Sequence, residues 1–236
     1  MAVALIVAAG RGERLGSGGP KALVSVAGRP MLEWSVAALR AVSAVETIVV
    51  ALPGDRLDAA PAGVLAVAGG QTRSESVRAA LAAAPAGAAA EAQVVVVHDA
   101  ARALATPDLF AQAVAELERL GADAVVAAAP VTDTIKQVGA EGRAVELTFD
   151  RSRLWAVQTP QVFRRAALEL ALSAAPELIS AATDDAWLVE RQGGTVAVLP
   201  APAENFKITT PLDLRVAEML LRERGEPPGA GGGGAR

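Results

Sequence analysis

Apolar residues in this chain come mostly in unbroken runs rather than in alternation. The runs are Val3-Ala-Leu-Ile-Val-Ala-Ala9, Glu46-Thr-Ile-Val-Val-Ala-Leu52, Val64-Leu-Ala-Val-Ala68, Gln93-Val-Val-Val-Val-His98, Ala122-Asp-Ala-Val-Val-Ala-Ala-Ala129 and Thr195-Val-Ala-Val-Leu199. A strand can be apolar on both faces only where both are covered, so these read as strands inside a layered structure. Helix-like segments lie near 30–42, 72–84, 107–120, 164–174, 184–192 and 211–224. Strands and helices taking turns predict an α/β fold of Rossmann-like build, a mainly parallel twisted sheet flanked by helices.

Three helix starts are signed. Thr72-Arg-Ser-Glu75 has the form of a capping box, and Thr106-Pro107 and Thr210-Pro211 each put a cap residue before proline at the first helical position. The stretch 131–158 fits no helix. Its alternation around Lys136-Gln-Val and Val145-Glu-Leu-Thr-Phe, divided by Gly139-Ala-Glu-Gly142, predicts a protruding β-hairpin arm of the kind that meets a partner subunit. Residues 1–224 are expected to form a single domain. The glycine- and proline-rich 225–236 have nothing to bury and are expected to be a flexible tail.

Composition narrows the chemistry. With 236 residues and 52% of them apolar, the chain can build a full core. Twenty-two basic against 26 acidic residues give a net charge of −4, so no overall positive field favours nucleic acid or an anionic membrane. Any phosphate must be held by local charge. The absence of cysteine removes thiol catalysis, disulfides and thiolate metal sites, and leaves His98 as the one imidazole. The opening apolar run, Met1 to Ala9, is too short for a secretion signal or a membrane span, which makes the cytoplasm the expected location.

The first strand runs into Ala8-Ala9-Gly10-Arg11-Gly12-Glu13-Arg14-Leu15-Gly16-Ser17-Gly18-Gly19-Pro20-Lys21. Glycines let backbone amides approach a ligand and converge on an anion, and ligands of open α/β sheets bind at the carboxyl ends of strands, where this loop emerges. No Gly-Lys-Ser/Thr closes the loop as in a P-loop, and Gly-x-Gly-x-x-x-Gly misses the dinucleotide fingerprint by one residue. The long loop also carries Arg14 and Lys21, two cations that can reach one phosphoryl group. A solvated surface loop is the alternative.

Ala-Ala-Gly-x-Gly-x-Arg followed by Pro-Lys resembles the signature of nucleotidyltransferases, which join a nucleotide to a phosphorylated small molecule. More narrowly, the chain resembles the 2-C-methyl-D-erythritol 4-phosphate cytidylyltransferase family of the non-mevalonate isoprenoid pathway. The resemblance runs from about Val3 to about Leu221. It rests on Gly69-Gly70-Gln-Thr-Arg73-Ser-Glu-Ser76-Val, His98-Asp99-Ala100-Ala101-Arg102, Ala129-Pro130-Val-Thr-Asp-Thr134-Ile-Lys136, Asp150-Arg151-Ser-Arg-Leu-Trp155, Gln158-Thr159-Pro160-Gln161, Thr183-Asp184-Asp185 and Asn205-Phe-Lys207-Ile-Thr. Ala22 and Glu204 depart from the family's usual Gln and Asp.

The resemblance implies a homodimer joined through the 131–158 arm and transfer of CMP from CTP to 2-C-methyl-D-erythritol 4-phosphate with Mg²⁺. It implies that Arg14 and Lys21 stabilise charge at the α-phosphate, and that Ala8, Ala9, Gly10, Gly12, Gly70, Ser76, Asp99 and Ala100 surround the nucleotide. Thr134, Arg151, Thr159 and Lys207 then fall to the acceptor, with Arg151 reaching a neighbouring subunit's site and, like Lys207, serving catalysis. Read by themselves, several of these residues stay open. Asp99 ends a buried strand and can hold a metal or serve as a turn residue; Arg102 can be a ligand contact or an ion-pair partner. The loop 69–76 suits nucleotide contacts or plain capping, Arg151 and Arg153 can be solvated arm charges, and Asp184-Asp185 can be metal-linked or a helix N-terminal pair. His98 reads as a packed strand-end residue. The rival functions are a cytidylyltransferase for ribitol 5-phosphate, a guanylyl or sugar-nucleotide transferase, a nucleotide-binding module without turnover and, last, an NAD(P)-dependent oxidoreductase.

Overall fold

The structure, a computed structural model, describes residues 1–10, 12, 15, 19–85 and 94–225. Seven strands form the central sheet: β1 (Ala2–Val7), β4 (Val45–Leu52), β5 (Leu65–Ala68), β6 (Val94–Asp99), β7 (Ala124–Pro130), β10 (Trp155–Arg164) and β11 (Val196–Pro200), in the spatial order β11-β7-β10-β6-β1-β4-β5. β1 pairs in parallel with both β4 and β6, β4 with β5, and β7 with β11. β10 alone runs antiparallel to its neighbours, β6 and β7.

Unbroken apolar strands give the sheet two buried faces. Ala2, Ala4 and Ile6 of β1 pack toward Leu32, Val36 and Leu39 of α1 (Met31–Arg40) and Phe110, Ala113 and Leu117 of α3 (Pro107–Leu120). The intervening Val3 and Leu5 pack toward Val77 and Leu81 of α2 (Arg73–Ala83), Leu168 and Ala171 of α4 (Arg165–Leu172), and Leu188 and Val189 of α6 (Asp185–Arg191). Two-residue periodicity thus sends alternate β1 side chains into opposite cores. A third cluster joins Val26 and Met31 to Ile208 and to Ala217 and Leu221 of α7 (Pro211–Gly225). The capping box is present: Thr72 Oγ1 accepts from the Glu75 amide at 3.2 Å and Glu75 Oε2 accepts from the Thr72 amide at 3.0 Å.

Four features depart from the sequence reading. The arm is shorter than 131–158, because its hairpin is β8 (Lys136–Val138) with β9 (Val145–Thr148), and residues 155–158 already belong to β10. β10 escapes detection because Pro160 argues against a central strand. The proline is tolerated where the β10–β7 ladder breaks, between Val157 and Gln161, and where pairing with β6 has not begun. A two-strand hairpin, β2 (Ser25–Val26) with β3 (Arg29–Pro30), and the short α5 (Pro176–Ala181) are also additional. The hairpin turns through Ala27 and Gly28, both at positive φ, as a two-residue loop of its twist requires. The proposed tail lies outside the described residues from 226 onward.

Candidate active site

β1 has β4 on one side and β6 on the other, so the chain's connections leave in opposite directions from the ends of β1 and β6. A crevice forms where strand order reverses in this way. Here it is a cleft of about 200 Å³ lined by Ala8, Ala9 and Gly10 after β1, Lys21 and Ala22, the 70–73 turn with Ser76, Asp99 to Ala101 after β6, and Lys207. Nucleotide-class residues Ala8, Ala9, Gly10, Gly70, Ser76, Asp99 and Ala100, together with the cations Lys21 and Lys207, therefore surround one space. Arg14 lies outside the described residues.

Close backbone approach explains the glycines that shape it. Gly12 has φ +71°, and a Cβ there would stand 2.7 Å from Lys21 Cβ, so only glycine lets the loop fold back over the lysine. The Lys21 amide donates to the Gly10 carbonyl at 3.1 Å, closing that return. Gly69 lies against Ala9, where a Cβ would come within 2.5 Å of Ala9 Cβ, and this contact fastens the second loop to the first. Ser76 Oγ accepts from the Gly70 amide at 3.1 Å and donates to the Thr72 carbonyl at 3.0 Å.

Four charges of alternating sign run along the floor. Asp185 Oδ2 bonds Arg73 Nη1; Arg73 Nε donates to Asp99 Oδ1 at 2.9 Å; and Lys207 Nζ donates to Asp99 Oδ2 at 2.7 Å. Burial by itself would raise the Asp99 carboxyl, but Arg73 and Lys207 outweigh it and hold the group well below the usual carboxylate range. Burial works against the Arg73 charge, and Asp99 and Asp185 more than restore it. Asp99 is thus a permanent anion and Arg73 a permanent cation.

Two networks fix these groups. The Asp99 amide donates to Thr159 Oγ1 at 3.1 Å, and that hydroxyl is hydrogen-bonded to His98 Nδ1 at 3.0 Å. Thr159 is 3% exposed, and its hydroxyl is committed beneath the cleft, bracing the end of β6. Asn205 donates to Gln158 Oε1 at 2.7 Å and to the Thr159 carbonyl at 2.9 Å, and its own backbone carbonyl accepts from Arg102 Nη1 at 2.8 Å. The Ile208 amide donates to the Ala101 carbonyl at 2.8 Å. Lys207 is therefore clamped between two anchored neighbours. Thr134 and Arg151 are exposed on the arm and are not among the residues lining the cleft of their own chain, and Arg151 Nη1 donates to the Thr132 carbonyl at 2.5 Å.

His98 is fully buried edge-on to Phe110 at 4.8 Å between ring centroids, and burial pushes its imidazole down to about 3. The unfolded chain binds a proton below 6.5 that the folded chain refuses, so this group's contribution to stability is complete above 6.5 and is lost as pH falls toward 3, by about 1.4 kcal/mol per unit. With one histidine in the chain, its proton resonance needs no assignment. No titration is expected between pH 8 and 5, and a midpoint near 6.5 would show a solvated ring.

The sequence reading passed over Arg73 as an anchor and Gln158, Gln161 and Asn205 as framework. Arg73 carried a signal: it opens α2, where a cation faces the positive end of the helix dipole and needs compensating carboxylates. At α6 the structure separates the acid doublet. Asp184 caps, accepting from the Trp187 amide at 2.8 Å and from Gln161 Nε2 at 2.9 Å, while Asp185 is wholly buried on Arg73.

A profile of the 2-C-methyl-D-erythritol 4-phosphate cytidylyltransferase family matches residues 2–223. The chain belongs to this family. The cytidylyltransferase of Saccharopolyspora erythraea is 48% identical over 226 residues, covering 93% of this chain and 98% of its own, and that of Nocardia farcinica is 49% identical, covering 94% of each. Among solved structures, the family's enzyme from Thermus thermophilus superposes with a TM-score of 0.75 at 37% identity, covering 94% of this chain and all of that one. The enzyme from Francisella tularensis gives 0.79 at 28%, covering 93% and 99%. The cytidylyltransferase fold is thus shared along nearly the whole length. Among the described residues no helix is long and apolar enough to cross a membrane.

Proposed function

We propose that this chain transfers CMP from CTP to 2-C-methyl-D-erythritol 4-phosphate, giving 4-diphosphocytidyl-2-C-methyl-D-erythritol and pyrophosphate. The observation that carries the reading is the meeting of Lys21, Lys207 and Asp99 at one glycine-walled cleft. In the reaction an acceptor phosphate oxygen attacks the α-phosphorus in line, that oxygen–phosphorus bond forms as the bond to the leaving pyrophosphate breaks, and negative charge spreads over the nonbridging oxygens. Lys21 supplies positive charge to the α-phosphate, a task the family resemblance also gives to Arg14. A phosphate monoester is largely dianionic at pH 7, so it needs no general base, which suits a site whose one imidazole is buried. Gly70 and Ser76 receive the nucleoside, and Lys207 the acceptor phosphate.

Magnesium fits this donor set. The ion is commonly held by one or two carboxylates together with substrate phosphates, and Asp99 offers a hard, permanently ionised oxygen pair at the cleft. When bound it would neutralise triphosphate charge, while Asp99 would orient it.

Homodimerisation is supported by the arm. Ile135, Val138, Val145, Leu147 and Phe149 are exposed along it, and Trp155 and Val157 are exposed at the start of β10, more apolar surface than one isolated hairpin accounts for. A second copy covering that surface would bring Arg151 to a neighbouring cleft. Arg151→Ala should raise the KM for the methylerythritol phosphate by about tenfold or more while that for CTP stays within about threefold, because a guanidinium reads a phosphate by two hydrogen bonds. Equal loss for both substrates would misplace the residue. The lack of cysteine and the nucleotide substrate support a cytoplasmic location.

The deciding experiment is pyrophosphate release with Mg²⁺ and each of CTP, UTP, GTP and ATP, crossed with methylerythritol 4-phosphate, ribitol 5-phosphate and no acceptor. Release confined to CTP with methylerythritol 4-phosphate is expected. Another productive pair would replace the substrate assignment, and CTP binding without release would make the chain a nucleotide-binding module.

A further inference from the structure

Asp185 touches no space that a substrate could enter, yet it is the best-buried acid of the charge chain, with no exposure at all. We infer that Asp185 is a positioning residue for transfer: it holds Arg73 by Nη1, and thereby fixes the Asp99 carboxylate that Lys207 and the nucleotide share. This rests on the functional reading above.

The geometry separates its role from ordinary capping. Asp184 is the residue whose carboxylate accepts from α6, through the Trp187 amide, so the helix start is already satisfied. Asp185 spends an oxygen on a side chain 112 positions away instead. An ionised carboxylate held out of water is costly unless paired; burial holds this one above the usual carboxylate range, and Arg73, with the Ser74 hydroxyl, pulls it only part of the way back. A lone helix residue would not be retained as an acid there without the pairing.

The fork shape of arginine explains what the arrangement does. Arg73 presents Nε to Asp99 and Nη1 to Asp185, so its planar head is fastened at two edges and cannot turn. With both edges held, Asp99 keeps one oxygen on Arg73 and the other on Lys207. The chain of four groups is also electrically balanced, two acids against two bases. Neutralising Asp185 leaves a surplus positive charge on Arg73, frees its Nη1 edge, and lets the guanidinium draw Asp99 away from Lys207. Productive geometry tolerates displacements of only about 0.5 Å, so a loosened carboxylate registers in turnover rather than in nucleotide affinity.

The test uses Asp185→Asn, Arg73→Lys, their combination, and Asp184→Asn as the capping comparator. Lysine keeps the charge of Arg73 but cannot engage two carboxylates at its two edges. With each variant shown folded at the assay temperature, Asp185→Asn should lower kcat at least about tenfold with the KM for CTP within about threefold. The double variant should lose no more than about threefold beyond Arg73→Lys alone, since residues acting as a unit are not additive. Asp184→Asn should lower the melting temperature and leave kcat within about twofold. A crystal structure of Asp185→Asn should show the Asp99–Lys207 contact lengthened or lost, a reading independent of turnover. The inference is overturned if folded Asp185→Asn keeps kcat within twofold, if its loss multiplies with that of Arg73→Lys, if Asp184→Asn loses as much, or if the contact stands unchanged. Should Asp185→Asn not fold, Arg73→Lys decides: full activity would show the fork to be dispensable. An inactive wild-type protein would instead sink the functional reading and leave the crystallographic arm to judge the inference.

Discussion

Lys21→Ala should lower kcat at least about 100-fold while the melting temperature moves by no more than about 3 °C. Removal of one preorganised donor at a developing oxyanion costs about 3–4 kcal/mol of barrier, which corresponds to that factor or more. Stability should barely change because Lys21 lies in the loop that returns over β1, half-buried at the cleft wall, and opens a single turn, Lys21–Leu23, whose core contribution comes from Ala22. The KM for CTP should move little, since the bound triphosphate keeps its other contacts and the lost one matters most as charge develops. Steady-state kinetics with a thermal melt would check this, and a loss under threefold would remove Lys21 from the chemistry. Methionine at the same position should reproduce the loss, which would assign it to charge rather than to side-chain volume.

The layered fold was legible because its causes are local and periodic. A strand such as Val94-Val-Val-Val97 has no other stable setting than a sheet covered on both faces, and Thr72 with Glu75 closes a helix start in which both partners belong to one short segment. β10 was hidden for the opposite reason: Pro160 contradicts the local rule and is accommodated only because the ladder breaks beside it, a fact of tertiary pairing. The site divides in the same way. Residues carried by one loop, such as Ala8 to Gly12 and Gly70 to Ser76, announce themselves by glycine spacing. Contacts that join distant segments do not. Arg73 with Asp185, Asn205 with Gln158, and Thr159 with the Asp99 amide pair residues from 47 to 112 positions apart, and no single segment contains the reason for either partner. The arm shows a third case, where an exposed apolar stripe points to a surface outside the chain itself.

Asp99→Asn should be more damaging than Lys21→Ala, and should also lower stability. The carboxylate is the one group that both cations of the floor address, with Arg73 at 2.9 Å and Lys207 at 2.7 Å, and asparagine offers one neutral acceptor oxygen to one of them while its amide NH2, a donor, faces the other. Lys207 has 40% of its side chain exposed, so it can take water in exchange, whereas Arg73, at 22%, reaches less water and falls back on Asp185. A cost of about 1–3 kcal/mol follows, smaller than the full penalty of an abandoned buried charge because each cation retains a recourse. In a chain of this length that lowers the melting temperature by about 3–10 °C. For turnover the loss is compound: the anion that positions Lys207 disappears together with the oxygen pair offered to magnesium. We expect kcat/KM to fall at least about 1000-fold, with the residual rate set by the Lys21 side of the cleft. Because folded Asp99 is ionised far below its unfolded value, wild-type protein loses this group's stabilisation as pH drops below about 4, and the variant should lack that part of the acid limb. Kinetics and denaturation at two pH values test both halves, and activity within tenfold of wild type would show that the cleft works without its carboxylate.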